Sequence, residues 1–129
     1  MSLKITTEER KPGVFVARLA GRLDSTTCPA CEETIKTLLK KSTRILMFDL
    51  KDLDYISSMG LRIVLAAQKV LHGPGRHVLL LHVQPQVAKV FDLADILPKT
   101  SIFDSVESAD IFLEAVQNRE LLKDQDIPD

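Results

Sequence analysis

Ser57-Ser58-Met59-Gly60 stands between a polar stretch and an apolar helical run, and it is the strongest chemical candidate in the chain. Serine is a preferred helix N-cap because its oxygen accepts a backbone N–H that the helix cannot satisfy itself. The same end of a helix carries partial positive charge. A phosphate on either serine would be held favourably there. Two serines ahead of an apolar helix are also the ordinary mark of a cap, so the local pattern shows a place where phosphate fits and nothing more. Gly60 falls in the first turn, where glycine costs about 1 kcal/mol relative to alanine. That cost points to close backbone approach, or to access for a partner.

Other chemistry is less well supported. Cys28-Pro29-Ala30-Cys31 has the spacing of disulfide oxidoreductases, and thiols at a helix N-terminus can be acidic. Yet both cysteines share an apolar stripe with Ile35 and Leu38, and no aromatic residue precedes them as in thioredoxin-like sites. Buried packing is the expectation for such thiols. His72, His77 and His82 have no ligand spacing on one element, and two cysteines without a matched pair do not complete a zinc site. His77 and His82 lie an odd number of residues apart on an expected strand, so they face opposite sides. No Ser-His-Asp arrangement is visible. Gly73-Pro74-Gly75 reads as a turn and lacks the lysine of a phosphate-binding loop. The chain is therefore expected to be no enzyme, with no metal and no cofactor.

Bulk properties narrow the partners. The 129 residues suit one domain, and 45% apolar with 27% charged residues is the balance of a globular chain. A net charge of -1 gives no footprint for nucleic acid. Five Phe, one Tyr and no Trp offer few surfaces for stacking bases. The longest apolar stretches, such as Ile63 to Ala67, are too short to span a bilayer. Met1 to Lys11 lacks the apolar core of a secretory signal. Neither nucleic acid nor membrane is expected as a partner, and the cytoplasm is the expected location.

The elements that must position Ser57 and Ser58 follow from periodicity. Residues 3 to 9 read as a polar edge strand, Lys11-Pro12-Gly13 as a turn and Val14 to Ala20 as a second strand, making a hairpin. Gly21-Arg22-Leu23-Asp24 leaves that strand. A helix from about Cys28 to Lys40 has Pro29 in its first turn and Cys28, Cys31, Ile35, Leu38 and Leu39 as its stripe. Ile45 to Leu50, broken only by Asp49, reads as a buried strand. Lys51 to Ile56 is a loop carrying Asp52 and Asp54. The helix after it runs to about Leu71 with a core face of Leu61, Val64, Leu65 and Leu71. His77 to Val83 is a third buried strand. Pro85 opens a helix with Val87, Val90, Phe91 and Ala94 inward, and Ile96-Leu97-Pro98 ends it. Thr100 to Phe103 is a short strand. Asp104 or Ser105 caps a last helix whose stripe is Ala109, Phe112, Leu113 and Val116. The alternation implies an α/β fold: a mixed, mostly parallel sheet of four to five strands, an opening β-hairpin and about four covering helices. Residues 1–117 form the single expected domain, and the polar tail 118–129 is expected to fray.

Asp49 to Arg62, reading DLKDLDYISSMGLR, resembles the signature of the STAS family, named for sulphate transporters and anti-sigma-factor antagonists. Gly21-Arg22-Leu23-Asp24-Ser25-Thr26-Thr27 resembles the family's second characteristic stretch. Pro85 to Leu93 resembles its third-helix region. The likeness runs from about residue 4 to 116, with three motifs in order. It implies a STAS, anti-sigma-factor-antagonist-like fold and the partner-switching mechanism of bacteria. In that mechanism the unphosphorylated protein binds an anti-sigma factor that is also a GHKL-type serine kinase, and so frees the sigma factor. The kinase spends ATP to phosphorylate a serine at the head of the second helix, and the complex parts. A PP2C-type phosphatase resets the switch. Aligned on Gly60 in the family pattern Asp-Ser-Ser-Gly, the acceptor falls on Ser58, with Ser57 as its rival. Ser57 stands where the family has Asp, and Met59 where it has the second Ser. The resemblance also implies partner binding by Asp24, Ser25, Thr26, Ser57, Met59 and Gly60. The alternative it leaves is a STAS scaffold without a phosphoryl cycle, in a signalling or lipid-transport assembly.

Overall fold

The computed structural model describes residues 2–94, 102–103 and 108–115. Strands β1 (Leu3–Lys11) and β2 (Val14–Leu23) form the expected antiparallel hairpin. Helix α1 (Cys28–Leu38), strand β3 (Ile45–Ile56) and helix α2 (Ser58–Val70) follow. Strand β4 (His77–Leu81), helix α3 (Pro85–Ala94) and strand β5 (Ile102–Phe103) come next. Residues 108–115 form a further helix, α4. The sheet order is β1-β2-β3-β4-β5, and every pair after the hairpin is parallel. This is the mixed, mostly parallel α/β sheet that the alternation of elements implies.

Each strand sends alternate side chains to opposite faces. Phe15, Ala17 and Leu19 of β2 join Leu46, Phe48 and Leu50 of β3 in the larger core, which α1, α2 and α3 cover. Val14, Val16, Ile45, Met47, Leu79 and Leu81 form a smaller core on the other face, closed by Ala109 with Phe103, Phe112 and Leu113 packed against it. Asp49, the polar break in the apolar run of β3, points to this second face. It accepts the N–H of Lys51 at 3.1 Å and faces the Arg18 guanidinium at 3.7 Å. Arg18 reaches Glu8 of β1 at 3.0 Å. The polar break is thus absorbed by charges on neighbouring strands.

Three local expectations need correction. Lys51 to Ile56 is not a loop: β3 continues to Ile56, and β2 continues through Gly21 to Leu23 beside it, with Ala20 opposite Asp52 and Leu23 opposite Ile56. Leu53 and Ile56 are buried on the larger core, and register shifts after Arg18 and after Gly21 keep them facing it. On α2, Leu65 is only half-buried; Gly60, Leu61, Ile63, Val64 and Ala67 form the inner face. β4 ends at Leu81, so His82 is off the strand, with φ 53, and its N–H bonds the Phe103 carbonyl at 3.1 Å. The strand parity applied to His77 and His82 therefore does not hold.

α1 ends two residues short of Lys40 because Thr43 closes it. The buried Thr43 hydroxyl donates to the Leu38 carbonyl at 2.6 Å and accepts the Lys40 N–H at 3.0 Å. The inward positions of α3 are Val87 and Phe91, with Val90 packed beside them. Ile96-Leu97-Pro98, the Asp104 or Ser105 cap, Val116 and the tail 118–129 lie outside the described residues. No helix among the described residues is long and apolar enough to cross a membrane.

Candidate functional site

The ends of β2 and β3 arrive side by side at one rim of the sheet, and each turns directly into a helix. After β2 the chain makes a tight turn closed by Asp24. Its Oδ1 accepts from the Thr26 hydroxyl at 2.7 Å, the Thr26 N–H at 3.0 Å and the Thr27 N–H at 3.2 Å. Thr27 returns the bond, its Oγ1 accepting the Asp24 N–H at 2.9 Å. This reciprocal pair has the logic of a capping box leading into α1. The Thr26 hydroxyl bond is the main influence holding the Asp24 carboxyl below its ordinary pKa; partial desolvation opposes it. Ser25 and Thr26 are exposed at the turn tip.

After β3 the chain enters α2 through Ser57. Its extended backbone, φ -91 and ψ 173, is that of an N-cap, and its Oγ accepts the Gly60 N–H at 3.2 Å. The Ser57 carbonyl accepts the Leu61 N–H at 3.0 Å. The Ser58 and Met59 N–H groups are left at the helix end without intrahelical partners. Ser57 is half-buried, whereas Ser58 is exposed, and its hydroxyl has no hydrogen bond among the described residues. Met59 is 42% exposed, unusual for a large apolar side chain.

The two turns are tied to each other. The Ser57 N–H donates to the Leu23 carbonyl at 2.9 Å, and the Cys28 thiol lies 3.9 Å from the Ser57 hydroxyl. Gly60 is buried against this junction. A Cβ there would lie 2.7 Å from Ile56 Cγ1 and 2.9 Å from Leu23 Cδ2, closer than packed atoms tolerate. All six residues implicated as partner-binding, together with Ser58, therefore fall on one rim. Asp24, Ser25 and Thr26 form one lip; Ser57, Ser58 and Met59 form the other; Gly60 lies beneath. A groove of about 190 Å3 runs from it between α1 and α2, lined by Cys28, Pro29, Glu32, Met59, Arg62 and Ile63.

Sequence reading missed two participants. Arg22 and Tyr55 are register partners on β2 and β3, and the guanidinium stacks over the phenol ring at 4.3 Å while lying 3.8 Å from the Asp24 carboxylate. Reading Lys51 to Ile56 as a strand would have exposed that pairing. Cys28 touches the Ser57 cap, a role that a stripe of apolar spacing does not reveal. The redox reading fails on burial: both thiols are free and buried. Desolvation pushes Cys28 upward, opposed by the Ser57 contact, and pushes Cys31 up to about 12. Among the described residues no cluster of three His, Cys, Asp or Glu could hold a metal ion.

Comparison with known proteins bears on the chain that carries this rim. Residues 6–109 match the family described as the STAS domain. BtrV of Bordetella bronchiseptica, a candidate anti-sigma factor antagonist, is 32% identical over 103 residues, covering 80% of this chain and 89% of that protein. The crystal structure of an anti-sigma factor antagonist from Mycobacterium paratuberculosis superposes with a TM-score of 0.73 at 28% identity, over 90% of this chain and 95% of that one. The anti-sigma factor antagonist SpoIIAA in its unphosphorylated form superposes with a TM-score of 0.75 at 21% identity, over 87% and 97% of the two chains. Its phosphorylated form, from Bacillus, gives 0.67 at the same identity, over 82% and 96%.

Three substitutions, read by stability, separate cap, acceptor candidate and packing. Ser57→Ala is expected to lower stability by about 1 kcal/mol through loss of the cap, and Ser58→Ala to leave it within roughly 0.5 kcal/mol, as read by urea unfolding. Gly60→Ala gains helix propensity of about 1 kcal/mol but forces Leu23 and Ile56 aside, at a cost of roughly 1–3 kcal/mol. The expected sum is a less stable protein; a more stable one would show that the junction has room.

Proposed function

The chain belongs to the STAS domain family, and on that premise we propose that it is an anti-sigma factor antagonist of a bacterial partner-switching pathway. Unphosphorylated, it binds an anti-sigma factor that is also a serine kinase of the GHKL type and releases the sigma factor. Phosphorylation of Ser58 ends the binding. A PP2C-type phosphatase restores the protein. It performs no catalysis of its own, and ATP enters through the kinase. The observation that carries this reading is the divided labour of the two serines. Ser57 spends its oxygen on the Gly60 N–H and is half-buried, while Ser58, one residue on, is exposed, its hydroxyl unengaged among the described residues. A kinase could take Ser58 without dismantling the cap.

The physical effect of the modification follows from the rim. Phosphate brings about -1.5 to -2 charges at neutral pH. Asp52 and Asp54 are exposed near the end of β3, and Asp24 sits across the junction. The free N–H groups of the first helical turn favour phosphate locally, so the modified helix stays formed. A partner packed over Met59 and the α1–α2 groove meets a bulky, hydrated dianion at the contact centre. A shift of about 3 kcal/mol would weaken binding more than a hundredfold. Exposed Met59 suits an adaptable apolar contact. Tyr55 and Arg22 at the same rim are of the residue types that carry much interface energy.

Incubation with ATP and a candidate kinase from the same genome, followed by intact mass and site mapping, tests the reading. One phosphate on Ser58 is expected, lost in Ser58→Ala and kept in Ser57→Ala. Phosphate on Ser57 would move the acceptor. No phosphate from any kinase that binds the protein would overturn the switch and leave a constitutive scaffold.

A further inference from the structure

Among the described residues β1 is one edge of the sheet, paired with β2 alone, and it is nine residues long. The Ser2 carbonyl accepts the Arg22 N–H at 3.4 Å. Backbone groups alternate along a strand, so even-numbered residues turn theirs toward β2, and Leu3, Ile5, Thr7 and Glu9 turn theirs outward. Side chains alternate as well. Leu3 and Ile5 pack on the larger core, and Lys4, Thr6 and Glu8 stand on the opposite face, where Glu8 meets Arg18. An open row of donors and acceptors is a template for another strand, and natural edges are usually defended by proline, bulges, unmatched charges such as lysine, core-facing charges or shortness. Between Leu3 and Glu8, β1 has no proline and no core-facing charge. Its one register shift lies between Glu9 and Lys11, by the hairpin turn. Within Leu3 to Glu8 the charges are Lys4 and Glu8, opposite in sign and placed symmetrically about Thr6.

We propose that β1 is a self-association edge on which a second copy of this chain pairs antiparallel, about a twofold axis through Thr6 and perpendicular to the sheet. Lys4 of each copy then faces Glu8 of the other across a non-hydrogen-bonded pair, the closer kind of cross-strand contact. Ile5 faces Thr7, and Leu3 faces Glu9, with their outward backbone groups exchanged. Neighbouring registers fit less well. An axis at Thr7 sets Lys4 against Arg10, and one at Ile5 leaves Lys4 against Thr6. A shift by one residue turns the two cores to opposite faces of the joined sheet. Leu3 pairs with Gly21, close to the Asp24 turn, so the antiparallel axis sends the two copies' rims to opposite ends. Both rims stay open, and self-association is independent of the proposed switch.

Sedimentation over a range of protein concentrations, on chain without an N-terminal tag, tests this. A concentration-dependent dimer is expected. Lys4→Glu or Glu8→Lys, which places like charges opposite at both symmetry-related pairs, is expected to raise its Kd about tenfold, and the double swap to restore it. Thr7→Pro removes an outward N–H, which an edge strand tolerates, and is expected to yield a folded monomer. A protein that stays monomeric at every concentration overturns the proposal. So does a dimer indifferent to the charge substitutions, which decide the matter alone if Thr7→Pro does not fold.

Discussion

The start of α2 can approach β2 only because residue 60 has no side chain. The Leu23 carbonyl takes the Ser57 N–H at 2.9 Å, and the space a Cβ would need at Gly60 is filled by Leu23 and Ile56. Those two residues end β2 and β3 as register partners. The close approach therefore fixes three things together: where both strands stop, where the helix begins, and which way Ser57 faces. With Ser57 held as the cap, Ser58 falls at the first helical position and Met59 beside it, both outward. The glycine's cost in helix propensity is offset by this packing rather than by flexibility.

The Asp24 turn depends on the same junction. Its carboxylate is occupied by Thr26 and Thr27, so its first duty is to shape the entry to α1. That duty and a role toward a partner are compatible, because Oδ2 faces outward beside Arg22. The Cys28 thiol, next in line, fills the gap between the two helix starts rather than reacting. Desolvation pushes the pKa of both thiols up, and the Cys28 thiol gives the half-buried Ser57 hydroxyl a second polar neighbour beside the Gly60 N–H.

The sequence was informative where one periodicity acted alone. The hairpin, the stripe of α1 and the inward Val87 and Phe91 of α3 follow from spacing and turn residues. It misled where two demands overlapped. Lys51 to Ile56 is rich in charge, which reads as a loop. It is instead strand whose second face meets solvent, so only Leu53 and Ile56 reveal the core side. Leu65 looked like a core residue by its type, yet the face of α2 is set by Gly60 packing on Leu23, which brings Ile63 and Ala67 inward. The site itself was legible at Ser57 and Ser58 as residue types at a helix start. Which serine is spent on the cap was not legible, because that is decided by a strand end and a glycine contact distant in the chain. The Arg22–Tyr55 stack was hidden for the same reason.

The most direct measurement is titration calorimetry of a cognate anti-sigma factor against this protein, first unmodified and then stoichiometrically phosphorylated on Ser58. The expected result is specific binding of the unmodified protein and an affinity more than a hundredfold lower after phosphorylation, with the folded state unchanged by circular dichroism. Equal affinity for both forms would contradict the switch at the head of α2, and would leave the rim as a binding surface that phosphate does not control.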